Sequence, residues 1–192
     1  MSKDFYMACL DVAGRRCLVV GGGVVGREKA AGLAACGAAV TVVSPELHDS
    51  FAELEVDWVP RRYRAGDLDG AFLVIVATGD RRVDEAVWHD AEELGKLCNV
   101  ADVPELCNFI LPAVHRRGPI AVAVSTGGAS PALAKRLRSE IAELVTPEHA
   151  ELAEELRAMR PEVKGRFATY EERREYFQQV VEEALAGSVT PA

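Results

Sequence analysis

Residues 16–43, RCLVVGGGVVGREKAAGLAACGAAVTVV, constrain the fold more than any other part of the chain. An apolar run, Cys17 to Val20, enters a cluster of glycines, and a second run, AAVTVV, follows about one short helix later. Between them Val25, Ala30, Leu33 and Ala34 recur at helical spacing, and Gly37 ends the pattern. Continuous apolar runs are the mark of strands covered on both faces, as in parallel sheets. Strand, helix and strand in this order predict a βαβ unit with a right-handed crossover.

The alternation continues. A strand is expected around Trp58 and Val59, another at Leu73 to Ala77 (LVIVA), a helix over 82–94 and a further strand in KLCNVAD. The apolar run FYMACL, set off by Gly14-Arg15-Arg16, reads as one more strand beside Cys17 to Val20. After Pro112 the pattern changes: IAVAVS at 120–125 is a strand, and Ser130-Pro131 sit as N-cap and first residue of a helix. Pro147 and Pro161 bracket a helix near 148–159, and another is expected over 170–186. The fold class expected is α/β, a Rossmann-like parallel sheet over residues 1–112 with a small strand-helix segment over 113–147 and a C-terminal helical region over 148–192.

Charge narrows the partners. The net charge is −8, which argues against nucleic acid, because phosphate contacts need a basic surface. Residues 140–183 hold twelve glutamates against six lysines and arginines, so most of the negative charge lies there. No apolar run approaches the roughly 18 residues of a membrane span, and the start MSKDFYMACL carries no signal-peptide pattern, so no membrane partner and a cytoplasmic location are expected. Five cysteines, an odd number with no CxxC spacing, read as reduced thiols.

Gly21, Gly23 and Gly26 satisfy G-x-G-x-x-G in the strand-turn-helix setting that gives the pattern meaning. Gly21 would allow the tight turn, Gly23 the approach of a pyrophosphate, and Gly26 close packing of the helix. The N–H groups of Val24 and Val25 at the helix start would face the phosphates. An acid commonly ends the second strand of such a unit and holds a ribose, but here Ser44, Pro45 and Glu46 occupy that place. The spacing therefore implies a dinucleotide site without fixing which dinucleotide.

The segments GGGVVGREKAAGL, VTVVSPEL, RRYRAGDLDGAFLVIVATGD, CNVAD and VSTGGASPALAKRLRSEI together resemble the precorrin-2 dehydrogenase and sirohydrochlorin ferrochelatase family of sirohaem biosynthesis. The resemblance spans essentially the whole chain. It implies an enzyme that oxidises precorrin-2 to sirohydrochlorin with NAD as cofactor and, in some members, inserts ferrous iron as a second substrate. It also implies a homodimer, with 1–112 as the NAD-binding domain and 113–147 as a dimerisation segment. In this family the strand before Ser44 usually ends in a small or polar residue. Three positions depart from the family pattern: Gly26 replaces a common alanine, Glu28 an arginine and Asp84 an asparagine. The sequence carries no methyltransferase region, so synthesis of precorrin-2 itself is not expected.

Dehydrogenation of a tetrapyrrole gives a hydride to nicotinamide and loses a proton, for which a carboxylate is a suitable base. Asp102, just after the CNVA strand, is expected at the C-terminal edge of the sheet, and the resemblance aligns it with the family's catalytic aspartate. Thr78, in ATGD, and Asn99 sit at neighbouring strand ends and are candidates for the nicotinamide side. Ser125, Thr126, Gly127, Gly128 and Ser130 form a second possible anion nest before a helix. That nest suits the polycarboxylate tetrapyrrole the resemblance implies. The four histidines, His48, His89, His115 and His149, are scattered, so no metal-ligand set is expected. The competing reading is a non-catalytic NAD(H)-sensing regulatory subunit, in which Asp102 would be replaceable.

Overall fold

The computed structural model describes residues 5–186. The chain divides into two compact units between Ile110 and Leu111.

The first unit is built on five strands, β1 (Arg16–Val20), β2 (Ala39–Val43), β3 (Asp57–Val59), β4 (Leu73–Val76) and β5 (Leu97–Val100), in the order β3-β2-β1-β4-β5. Every pairing is parallel. Helices α1 (Val24–Ala34) and α2 (Arg81–Glu93) cover opposite faces. Alternate residues of one strand serve different layers: Leu18 and Val20 pack with Val74, Val76 and Val87, whereas Val19 packs with Val42 and Ala30. Burial on both faces is why these strands are continuous apolar runs, and each such side chain contributes about 1.5–3 kcal/mol.

Register sets up the site. Val43, Val20, Val76 and Val100 pair in one row across β2, β1, β4 and β5. The next residues, Ser44, Gly21, Ala77 and Ala101, therefore emerge together at the C-terminal edge. The connections from β1 and β4 lead to opposite sides at this point, which makes it the switch point where ligands of such sheets gather.

The second unit holds an antiparallel ribbon of β6 (Ala113–Arg117) and β7 (Ile120–Val124), with α3 (Pro131–Leu144), α4 (Pro147–Arg166) and α5 (Tyr170–Ala186). Helix α3 packs on the ribbon and α4 on α5.

Three expectations need correction. Among described residues, FYMACL contains no strand: Tyr6, Met7 and Leu10 are exposed, and the segment's only anchor to the core is Val12 beyond it. The helix after Pro147 does not stop at 159 but runs through Pro161 to Arg166. Pro161 and Arg157 are exposed, so the carbonyl that the ring leaves unpaired faces water, and buried Val163 anchors the turn beyond. Strand β6 was not expected, because its sequence AVHRR carries too much charge to look like a strand. It half-buries only Ala113, His115 and Arg117, which alternate along one face.

Candidate functional site

The glycine cluster is shaped by backbone approach. Gly21 has φ +119°, and a Cβ there would lie 2.3 Å from the Ala77 carbonyl oxygen at the end of β4. A Cβ on Gly26 would lie 2.1 Å from the Gly21 carbonyl oxygen, so the first turn of α1 rests on the glycine turn itself. Gly22 is as tightly enclosed: its Cβ would meet the Glu46 carbonyl oxygen at 2.1 Å and Ser44 Oγ at 2.8 Å. The His48 amide donates to the Gly22 carbonyl at 2.8 Å, fastening the loop after β2 to the turn. No local pattern in the sequence marks Gly22, because its contacts come from residues more than twenty positions away.

Gly23 differs from its neighbours. Nothing lies within 4 Å of where its Cβ would be. It precedes α1 as N-cap without a side-chain cap, and the first helical turn has no acid. Val24 and Val25 are exposed. Their N–H groups belong to the helix start and have no intrahelical partner, so a partial positive charge faces open space. A dinucleotide pyrophosphate fits this cradle, with three glycines closing its floor and the fourth leaving its mouth free.

Ser44 is nearly buried, with its carbonyl accepting the Trp58 indole N–H at 3.0 Å. Pro45 and Glu46 are exposed beside it. The strand end is small because Gly22 occupies the space that a longer side chain would need.

Thr78 lies two residues past β4. Its hydroxyl donates to Asp84 Oδ1 at 2.5 Å and accepts from the Asp80 amide at 3.0 Å. Asp84 is buried, and Asp80 caps α2 through the Arg82 amide. Asn99 is also buried: its amide donates to the Phe109 carbonyl at 2.9 Å and lies 3.6 Å from Cys107 Sγ. It ties the strand to the segment that follows the Asp102 loop.

Asp102 is the only described non-glycine residue with positive φ, +61°. It is exposed, two residues past β5. Aspartate tolerates this conformation better than most residues, yet it still carries strain of about 1 kcal/mol or more. The loop is tied down on both sides, with the Ala101 amide donating to the Val76 carbonyl at 2.8 Å and the Val103 amide to the Val100 carbonyl at 3.3 Å. Beneath it the thiol of Cys107 lies 3.3 Å from both Val100 backbone groups and from the Val103 carbonyl. Burial raises the neighbouring Cys98 thiol to about 12, so it stays protonated.

In the second unit Ser125–Ser130 links β7 to α3. Its hydroxyls serve the segment itself: Ser125 accepts from the Gly127 amide, Thr126 from the Ser130 amide, and Ser130 caps the Leu133 amide. Gly127 and Gly128 both take positive φ, which lets the chain reverse here. On the ribbon, His115 Nε2 and Arg117 Nε are buried without a partner among described residues.

With this geometry in view, comparison with known proteins places the chain. A family model described as "Putative NAD(P)-binding" matches residues 8–113, more than half of it. The chain belongs to this NAD(P)-binding family. Behind the NAD(P)-binding region, a model of the sirohaem biosynthesis protein central region matches 117–144 and one of the sirohaem synthase dimerisation region matches 148–190. The resemblance to sirohaem-biosynthesis proteins thus extends over nearly the whole chain. The sirohaem synthases of Methylobacillus flagellatus and Chromobacterium violaceum are 42% and 40% identical to it, over 91% and 97% of the chain. The chain spans only 38% and 40% of the length of those two relatives. A solved structure titled "SirC, precorrin-2 dehydrogenase" superposes with a TM-score of 0.78 at 28% identity, covering 94% of this chain and 92% of that one. Among described residues no helix is long and apolar enough to cross a membrane.

Proposed function

We propose that the chain is an NAD-dependent dehydrogenase that oxidises precorrin-2 to sirohydrochlorin in sirohaem biosynthesis. The observation that carries this reading is Asp102, an exposed carboxylate held in a strained conformation at the sheet edge that also carries the dinucleotide cradle. Strain kept at a ligand-facing loop points to function. Likeness to a precorrin-2 dehydrogenase and to sirohaem synthases supplies the substrate class.

In the proposed mechanism the Val24 and Val25 amides beside Gly23 would hold the pyrophosphate, and Ser44, Pro45 and Glu46 would hold the ribose through backbone and hydroxyl groups. NAD, when bound, would supply the hydride acceptor. Thr78, fixed by Asp84, borders the nicotinamide side, and Asn99 steadies the loop beyond it. Asp102 accepts the proton released from the macrocycle on a carboxylate oxygen. Ser125, Thr126, Gly127, Gly128 and Ser130 are assigned to substrate carboxylates: the Ser125 and Ser130 oxygens accept from the Gly127 and Leu133 amides, which leaves their O–H groups to donate, whereas the Thr126 hydroxyl donates to the Ser130 carbonyl. Asp102 is equally suited to accept macrocycle N–H protons as ferrous iron enters, which makes iron insertion a second activity of the same group.

A homodimer fits this reading. Helix α5 buries no residue fully, and Leu133, Leu137 and Leu144 are exposed along α3. The match of 148–190 to a dimerisation region points the same way. Among described residues no cysteine is in a disulfide, and Cys9 and Cys36 are exposed, which suits a reducing, cytoplasmic setting.

The test is Asp102→Asn, which keeps a residue tolerant of positive φ while removing the base. NAD affinity should stay within about twofold while turnover of precorrin-2 falls about 100-fold or more. Near-normal turnover would remove Asp102 from the reaction, whereas absence of turnover in the folded, NAD-binding parent protein would favour the non-catalytic NAD(H)-sensing alternative.

A further inference from the structure

Asp84 is a carboxylate where α2 calls for an apolar side chain. It opens the buried stripe Asp84, Val87 and Ala91, which faces the core, and it is only 5% exposed. Among described residues no cation pairs with it, and its side chain makes one hydrogen bond, accepting the Thr78 hydroxyl on Oδ1 at 2.5 Å. Burying a carboxylate without a cation is costly. Its place in the first turn of α2 offsets part of that cost, because the positive end of a helix favours an anion.

The effect of Asp84 falls on Thr78. A hydroxyl has one proton and two lone pairs, whereas a carboxylate only accepts. The Thr78 proton therefore goes to Asp84, and one lone pair takes the Asp80 amide at 3.0 Å. The Asp80 carbonyl, at 3.3 Å, competes poorly for the same proton. What Thr78 has left for a ligand is a lone pair, so it accepts and does not donate.

Thr78 stands between the glycine turn and the Asp102 loop. The exit of β4 lies between those of β1 and β5, with Val76 paired to Val20 on one side and Val100 on the other. Toward the glycine turn, a Cβ on Gly21 would lie 2.3 Å from the Ala77 carbonyl oxygen and 3.2 Å from the Thr78 nitrogen. Toward the other side, the Ala101 amide donates to the Val76 carbonyl at 2.8 Å, one residue before Asp102. A dinucleotide held by its pyrophosphate at the glycine turn and reacting beside Asp102 would present its nicotinamide end to Thr78.

We propose that Asp84 makes this site selective for the carboxamide of nicotinamide: it fixes Thr78 as an acceptor for the carboxamide N–H and turns away a nicotinate carboxylate, which meets an acceptor backed by a like charge. The inference rests on the dehydrogenase reading for the cofactor and adds a specificity-determining pair to it. Asparagine at position 84 would lack this effect. Its amide can donate to Thr78 as well as accept from it, which frees the hydroxyl proton to turn toward a ligand.

The test is calorimetric binding to the full chain, without tetrapyrrole, of NAD and two analogues. Deamido-NAD carries a carboxylate in place of the carboxamide, and acetylpyridine adenine dinucleotide lacks the N–H. The parent should bind NAD at least about tenfold more tightly than either analogue. Asp84→Asn should still bind NAD and should bind deamido-NAD at least about tenfold more tightly than the parent does, a gain that loosened packing does not produce. Thr78→Val should lose the preference for NAD over the acetylpyridine analogue, and Thr78→Ser should keep it. An Asp84→Asn protein with the parent's ratio of NAD to deamido-NAD affinity would overturn the proposal. Should that variant not fold, a Thr78→Val protein with the parent's preference for NAD would overturn it equally. Precorrin-2 turnover by the parent is measured separately: turnover without selectivity sinks this inference alone, and selectivity without turnover sinks the dehydrogenation alone.

Discussion

The sulfur of Cys107 lies 3.3 Å from both the amide nitrogen and the carbonyl oxygen of Val100, closing the base of the loop on which Asp102 takes φ +61°. A small buried residue thus holds a strained exposed one. Cys107→Ala removes the sulfur contacts but keeps the space nearly filled, and should cost about 1–2 kcal/mol in urea unfolding. Under the proposed function kcat should fall while NAD affinity holds, since the cradle lies on other strands. Equal losses in kcat and NAD affinity would show general loosening instead.

The glycine turn separates packing from binding. Gly22→Ala places a methyl group 2.1 Å from the Glu46 carbonyl, so it should destabilise the protein by about 1–3 kcal/mol or more. Gly23→Ala meets nothing within 4 Å and should leave the melting temperature almost unchanged while weakening NAD binding at least about tenfold. Thermal melts and NAD titrations of the two variants check this directly.

Acid should reveal Asp67. Its hydrogen bonds with Arg61, aided by the Arg64 amide, hold its carboxyl below the usual carboxylate range despite burial. A depressed folded-state pKa stabilises above the unfolded value, near 4, and is lost as pH falls through the lower folded value. Asp67→Asn should be less stable than the parent at pH 7, and the gap should narrow below about pH 4. A gap independent of pH would contradict this.

Thiol labelling should be biphasic. Cys9 and Cys36 are exposed, whereas Cys17, Cys98 and Cys107 are buried. Burial raises the pKa of Cys17 and takes Cys98 to about 12, so neither offers thiolate at neutral pH. A chromogenic disulfide reagent should modify two thiols quickly and the other three only on unfolding.

Much of the first unit was legible because burial on both faces demands continuous apolar runs and the glycine spacing reports a strand-to-helix turn. Val20, Val43 and Val76 could be placed in strands from composition alone. What escaped notice depends on tertiary contact or exposure. Gly22 is required by Glu46, which no local pattern reveals, and Asn99 turns into the loop before Phe109. Pro161 reads as a stop, yet on an exposed face its missing hydrogen bond is replaced by water. Strand β6 hides because His115 and Arg117 are polar residues on its half-buried face. At Ser125–Ser130 the sequence displays hydroxyls, and it is the folded turn that sets them to accept from the Gly127, Ser130 and Leu133 amides.

The most direct test is anaerobic incubation of the protein with precorrin-2 and NAD, following sirohydrochlorin and NADH by absorbance. The account predicts that both accumulate in equal amounts and only with protein present. Folded protein that binds NAD and yields neither product would contradict it.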